Sequence, residues 1–136
     1  MTSLIHKVAG IIIKDRQLLV VREFGKSVFF SPGGKIEPGE SKERVLMREL
    51  AEELGIQTTP KDFRPFGHYK AEAAGKVGAM LEMDVLMVTN YEGQIRAGSE
   101  IEELAWVDSQ NQAGLELGSI FEHHVIPELK SKNLID

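Results

Sequence analysis

The chain has 136 residues, the size of one ordinary domain, and its 42% hydrophobic content supplies a core and argues against disorder. It contains no cysteine, which excludes disulfide frameworks, thiolate nucleophiles and cysteine-bound zinc; any metal would be held by imidazole or, given the acidic content, by oxygen. The formal net charge of −5 argues against a basic polyanion-binding surface and so against duplex nucleic acid, although phosphates can still bind where cations supply the positive charge.

From the N-terminus, Leu4 to Ile13 is rich in β-branched residues and reads as a strand. Its apolar part, Val8 to Ile13, is too short for the apolar region of a secretion signal. No stretch approaches the roughly 20 apolar residues of a membrane span, so the expectation is a cytoplasmic protein with no membrane contact. Lys14-Asp15-Arg16 then predicts a hairpin into a second strand, Gln17 to Arg22. The apolar Val28-Phe29-Phe30 is followed by a turn-rich Ser31-Pro32-Gly33-Gly34.

Ser41 to Leu54 is predicted to be a helix. Ser41 suits the N-cap, Glu43 the positive end of the dipole and Gly55 the residue just past the end. Leu46, Met47, Leu50, Ala51 and Leu54 fall on one side as a core-facing stripe. Phe63 to Ala73 and Gly78 to Asn90 read as two longer strands joined through Ala74-Gly75-Lys76, and Leu104 to Val107 as another. Leu115 to Asn133 is helical in pattern, with Phe121, Val125, Ile126 and Leu129 on its apolar face and Pro127 expected to kink it or start a second turn. No linker or repeat divides residues 1–136. Strands with two helices, the first inserted mid-chain, fit a single α/β or α+β sandwich.

The chemistry is concentrated between Gly34 and Ile56. On a helix, Glu49, Glu52 and Glu53 stand at i, i+3 and i+4 and share one arc, away from the leucine stripe. Carboxylates this close repel one another, and a cation among them relieves the repulsion. Hard oxygen ligands select Mg²⁺ or Mn²⁺. Arg48 is placed to pair with Glu52 or Glu49 and so to orient a carboxylate, and a Gly33 carbonyl is near enough in sequence to complete the coordination. The segment Glu49 to Leu54 alone reads more simply as a solvated amphipathic helix.

The longer pattern separates these readings. Gly34, Glu40, Arg48, Glu49, Leu50, Glu52, Glu53, Gly55 and Ile56 fill every fixed position of a 23-residue signature, a match expected by chance on the order of once in a billion start sites. In this the sequence resembles the Nudix hydrolase family, and its MutT-like members in particular. The resemblance implies a mixed sheet between helices with the signature forming loop, helix and loop. It also implies that Glu52 and Glu53 ligate divalent ions, that Glu49 is a further ligand or the general base, and that Arg48 holds Glu49 in place. Gly33 and Glu40 would support the metal-binding loop. One more acidic ligand is expected from a later loop, with Glu100 the candidate and Glu102 and Glu103 its rivals.

The reaction so implied is metal-dependent hydrolysis of a diphosphate linkage in a nucleotide, without a covalent intermediate. The substrate is less legible. Phe30, Gly34, Phe66 and Tyr69 are candidate substrate contacts, since an aromatic can stack on a nucleobase. At strand positions such side chains also serve as core. His6, His123 and His124 read as ordinary surface or strand histidines, His124 being a minor base-contact candidate. The motifs expected of NADH- and coenzyme A-directed relatives are missing, and position 72, a proline in many ADP-ribose hydrolases, is Glu72. The expectation is a compact enzyme, monomeric or homodimeric, that converts a nucleoside triphosphate, normal or oxidised, to monophosphate and pyrophosphate. ADP-ribose, dinucleoside polyphosphates and triphosphorylated RNA ends are the alternatives, and a non-catalytic nucleotide-sensing domain is the reading from another class.

Overall fold

The computed structural model describes residues 3–72, 79–112 and 114–136. In chain order it contains β1 (Ser3–Ile11), β2 (Ile13–Lys14), β3 (Gln17–Glu23), β4 (Val28–Phe29), β5 (Gly33–Lys35), α1 (Lys42–Leu54), a 3-10 turn (Pro60–Asp62), β6 (Phe63–Glu72), β7 (Ala79–Val88), β8 (Ile101–Val107), β9 (Glu116–Leu117) and α2 (Ile126–Ser131). A mixed sheet runs β5-β1-β7-β6, with β1 and β7 parallel and the outer pairs antiparallel. A second, antiparallel sheet runs β2-β3-β8.

Alternation along the strands builds a core on each face of the sheets. On β3, Leu18 and Val20 join Phe121, Val125 and Leu129, while Leu19 and Val21 join Leu46, Leu50 and Leu54 of α1. The same division separates Ala9 and Ile11 from Val8 and Ile12, and Met83 and Val85 from Leu86 and Val88. The expected mixed-sheet sandwich between helices is therefore the observed fold, and each fully buried leucine contributes roughly 1.5–3 kcal/mol. Among the described residues no helix is long and apolar enough to cross a membrane.

Several boundaries differ from expectation for identifiable reasons. The first predicted strand is divided at Ile12, where the chain passes from one sheet to the other. The hairpin that follows is a two-residue turn in which Asp15 and Arg16 both have positive φ, 52° and 62°. That conformation is costly for arginine; here the Arg16 guanidinium bonds to Asp136, Asn133 and Ile135. The link predicted between β6 and β7, Ala74-Gly75-Lys76, lies outside the described residues.

Helix α1 is capped as expected: the Ser41 hydroxyl accepts from the Arg44 N–H at 3.2 Å, and Gly55, at φ 72°, donates to the Ala51 carbonyl. Its buried face is rotated from the predicted stripe, however. Val45 and Glu53 are buried with Leu46, Leu50 and Leu54, whereas Met47 and Ala51 are only half-buried.

The C-terminal segment needs a larger correction. Glu116 and Leu117, predicted to begin the helix, form a short parallel pair with Val28 and Phe29. The helix then passes through a wide turn over Phe121–Val125, where the Ile126 N–H donates to the Phe121 carbonyl five residues back. That expanded turn directly precedes Pro127, which cannot donate to the preceding turn and whose ring crowds it, so the irregularity the proline predicted takes this form.

Candidate active site

Strand β5 lies along one edge of the mixed sheet, and α1 packs against it. Backbone bonds from Gly10 to Pro32 and from Ile36 to His6, 2.8 Å each, seat the segment on β1. Both glycines are required by close approach: a Cβ on Gly33 would stand 2.0 Å from the Val8 carbonyl oxygen, and one on Gly34 would stand 2.7–2.8 Å from the Glu49 carboxyl group. Removing side chains here lets the carboxylates of α1 come against the backbone of the sheet edge.

Glu53 is only 8% exposed. Burial, then the neighbouring Glu49 charge, pushes its pKa up to about 8, against a backbone hydrogen bond from Gly33 that favours the ionised form. Glu49 is hydrogen-bonded to Glu53, and burial followed by the Glu52 charge raises its pKa as well, with Glu100 adding to the effect. Two acidic side chains crowded in this way favour sharing a proton, and a cation between them would relieve the same repulsion.

The end of α1 also places Glu100. The N–H groups of Arg96, Gly98 and Ser99 donate to the carbonyls of Leu54, Glu53 and Glu52 at 3.0, 2.7 and 3.1 Å, satisfying acceptors the helix leaves open. Only glycine fits at position 98, where a Cβ would lie 2.2 Å from the Glu52 carbonyl oxygen. Glu100 follows in a left-handed conformation, φ 68°, and its carbonyl accepts from the Phe24 N–H. Its rivals are engaged elsewhere: Arg22 pairs with both Glu102 and Glu103.

Arg48 does not pair with Glu49 or Glu52 as the sequence suggested. Its guanidinium donates to Glu40 at 2.7 Å, and this bond, with a further one from the Glu37 N–H, holds the Glu40 carboxyl below the usual carboxylate range. The arginine thus ties the loop before α1 to the helix. Its charge still acts on Glu49, whose pKa it lowers.

A cavity of about 740 Å³ opens beside this cluster. Glu49, Glu52, Glu53 and Glu100 line one part with Gly33 and Gly34; Ile5, Leu81, Met83 and Phe121 line another. Phe30 is among the lining residues. Phe66 and Tyr69 are not among the lining residues: Phe66 packs on the core beneath the C-terminal helix, and the Tyr69 hydroxyl donates to Glu128 while its ring stacks on His124. That contact also engages His124. No motif or spacing pointed to Lys7, Glu23, Ser31 or Glu72, which also line it. Ser31 is 3% exposed, and among the described residues its hydroxyl has no hydrogen-bond partner.

Among the described residues no three carboxylate or imidazole groups are set out so as to hold a metal ion. The donor set nevertheless suits a divalent cation. The Glu49–Glu53 pair is all oxygen, desolvated and short of positive charge, and a cation would take the place of the proton they share.

The family model for the NUDIX domain matches residues 4–129, and the chain belongs to the Nudix family of hydrolases. It is 31% identical over 108 residues to the CTP pyrophosphohydrolase of Escherichia coli, covering 76% of each chain. It is also 31% identical over 107 residues to the ADP-ribose pyrophosphatase of Methanocaldococcus jannaschii, covering 76% of this chain and 62% of the relative. Among solved structures, the E. coli ORF135 protein superposes with a TM-score of 0.75 at 26% identity, over 99% of this chain and 96% of that one. A MutT from the study of the Aliivibrio salmonicida and Vibrio cholerae proteins gives 0.73 at 28% identity, over 96% and 99%.

Proposed function

We propose that the chain hydrolyses the diphosphate linkage of a nucleoside triphosphate, normal or modified, to a monophosphate and pyrophosphate, using Mg²⁺ or Mn²⁺. The observation that carries this reading is the pairing of half-buried Glu49 with buried Glu53, both with raised pKa values, beside Gly33 and Gly34 on a cavity of about 740 Å³. That volume lies within the range of small-molecule sites.

Glu49, Glu52, Glu53, the Gly33 carbonyl and Glu100 are the groups that would hold the ion. When bound, it neutralises phosphate oxygens and lowers the pKa of the attacking water. Gly33 and Gly34, having no Cβ, let β5 lie against β1 and the Glu49 carboxyl group, which keeps the carboxylates beside the sheet edge. A carboxylate of the Glu49–Glu53 pair accepts the water proton as the new P–O bond forms and the bridging P–O bond breaks. Arg48 acts at one remove, holding Glu40 and the loop before α1 while biasing Glu49 toward its ionised form. Phe30 and the apolar wall are left to receive the nucleoside.

The relatives named for CTP and for ADP-ribose support a nucleotide diphosphate linkage in common and divide over what lies beyond it. The test is product identification with normal and oxidised nucleoside triphosphates, ADP-ribose and dinucleoside polyphosphates under Mg²⁺ or Mn²⁺, with Glu53→Gln as the control. Metal-dependent release of monophosphate and pyrophosphate, lost in the variant, is expected. Preferential cleavage of ADP-ribose would move the assignment to the second reading. Nucleotide binding with no cleavage across the panel would leave a sensor domain.

A further inference from the structure

Lysine 7 is out of keeping with its surroundings. It stands in β1, a central strand of the mixed sheet, half-buried on a cavity wall that it shares with Ile5, Leu81 and Met83. Across the parallel pairing with β7 it meets Met83; across the antiparallel pairing with β5 it meets Lys35. Directly opposed residues of an antiparallel pair share a face, and like charges there are destabilising. Lys35 has one distant partner, Glu37 at 3.8 Å, and both of those side chains are more than half exposed. Among the described residues the Lys7 side chain has neither a hydrogen bond nor an ion pair.

Two lysines thus face each other on the wall of a cavity that Lys26 and several glutamates also line, in a protein of net charge −5. Among the described residues no acid forms an ion pair with the inner one. Their position suggests what would. The neighbouring pair in the same ladder is Val8 with Gly34, the glycine that abuts the Glu49 carboxyl group. Side chains at adjacent positions leave opposite faces of a strand, so the lysine pair and the Gly34–Glu49 contact lie on opposite faces of this ladder, and the cavity that both line brings them to one site.

We propose that Lys7, with Lys35 beside it, binds the phosphates of the substrate, and that the pair favours substrates with the most highly charged phosphate chain, nucleoside triphosphates over ADP-ribose. This rests on the reading of the cavity as a site for phosphorylated nucleotides and adds what selects among them. An ammonium on a stem is a point charge suited to phosphate, and a half-buried one is screened less by salt than a surface lysine. Its contribution grows with the charge it faces.

The test uses Lys7→Met, which keeps the length of the stem among apolar neighbours, and Lys7→Arg, which keeps the charge. Three quantities are measured for each: KM and kcat on a nucleoside triphosphate and on ADP-ribose, the Kd of inorganic pyrophosphate with Mg²⁺, and the thermal midpoint. Loss of a charge-assisted bond predicts that Lys7→Met raises the triphosphate KM and the pyrophosphate Kd about ten- to a hundredfold. The loss on ADP-ribose should be at least about threefold smaller, kcat should change little, and the midpoint should rise because the like-charge pair is gone. Lys7→Arg should recover most of the affinity.

Unchanged affinities in Lys7→Met, equal losses on both nucleotides, or a lowered midpoint that Lys7→Arg shares would each overturn the proposal while leaving the reaction intact. If the wild type binds pyrophosphate and Lys7→Met weakens it but no substrate is cleaved, the phosphate site stands and the hydrolytic reading falls. If the wild type binds neither pyrophosphate nor nucleotide, both fall together.

Discussion

Two clusters of ionisable side chains lie on this sheet and its first helix, and they are built on opposite principles. One joins His6, Asp84, His68 and Glu82 across three neighbouring strands: Asp84 accepts from both imidazoles at 2.7 Å, and Glu82 lies 2.7 Å from the other nitrogen of His68. Every acid there has a basic partner, and the pKa values move apart, His68 upward and Asp84 downward. The other cluster, Glu49, Glu53 and their neighbours at the end of α1, has acids facing acids, and both resolved shifts are upward. A balanced cluster stabilises itself and asks for nothing further. An unbalanced, buried one costs the fold stability, and it marks where a ligand of opposite charge is missing.

The largest effect should come from Glu53→Gln. Removing the buried carboxylate should lower kcat by about 10³-fold, within the range for a positioned acid–base group, and should make the metal-free protein more stable at pH 8 in a denaturation experiment. A variant that stayed active would move the chemistry away from this cluster.

Gly34→Ala tests the glycine contact. Its methyl would stand 2.7–2.8 Å from the Glu49 carboxyl group, so activity should fall about 10- to 100-fold, in keeping with the cost of a small misplacement of reacting groups. The circular dichroism spectrum should change little. Full activity would show that Glu49 need not lie against the strand.

Metal-free stability as a function of pH distinguishes the clusters directly. The Glu53 pKa of the folded state, about 8, lies above its ordinary 4.5, so the folded state holds that proton more tightly than the unfolded chain. Its contribution is complete below about pH 4.5 and is lost as pH rises toward 8, on the order of 5 kcal/mol. Mg²⁺ or Mn²⁺ should recover that loss at the upper end, and Glu53→Gln should flatten the profile. For Asp84, whose pKa lies below the ordinary 3.8, the contribution is present above that value and is lost as pH falls. A flat profile for the wild type between pH 5 and 8 would contradict the crowding of Glu49 and Glu53.

The smallest effect is expected from Asp84→Asn in the balanced cluster. Asp84 is not among the residues lining the large cavity, so kcat/KM should stay within about twofold while stability falls by roughly 1 kcal/mol for the weakened hydrogen bonds. A large loss of activity would mean that the two clusters communicate.

Much of this molecule is local in origin and was legible in the sequence. Ser41 and Gly55 bound α1 because a hydroxyl cap and a left-handed glycine satisfy helix ends wherever they occur. Glu49, Glu52 and Glu53 share an arc because 3.6 residues make a turn. Strands with two helices, the first inserted mid-chain, predicted the sandwich, and alternation of side chains along the strands then divides its core in two. The 23-residue signature fixed the family, since its spacing reflects one helix and the loops at its ends.

What the sequence could not decide depends on contacts between distant segments. Arg48 bonds to Glu40, eight residues away, rather than to Glu52 one turn on, because the loop before α1 folds back along the helix. Glu100 is delivered to the cavity by backbone bonds from Gly98 and Ser99 to the end of α1, and Arg22 engages Glu102 and Glu103; no spacing rule distinguishes these three acids. Tyr69 turns to Glu128 and His124 rather than to the cavity. Lys7 becomes notable only when the β1–β5 pairing sets Lys35 opposite it. The sequence by itself determined the helix that carries the carboxylates and the family to which the chain belongs, because short-range geometry suffices for both. The tertiary structure alone decided which charges are partnered, because a partner is a matter of distance in space and the sequence gives only distance along the chain.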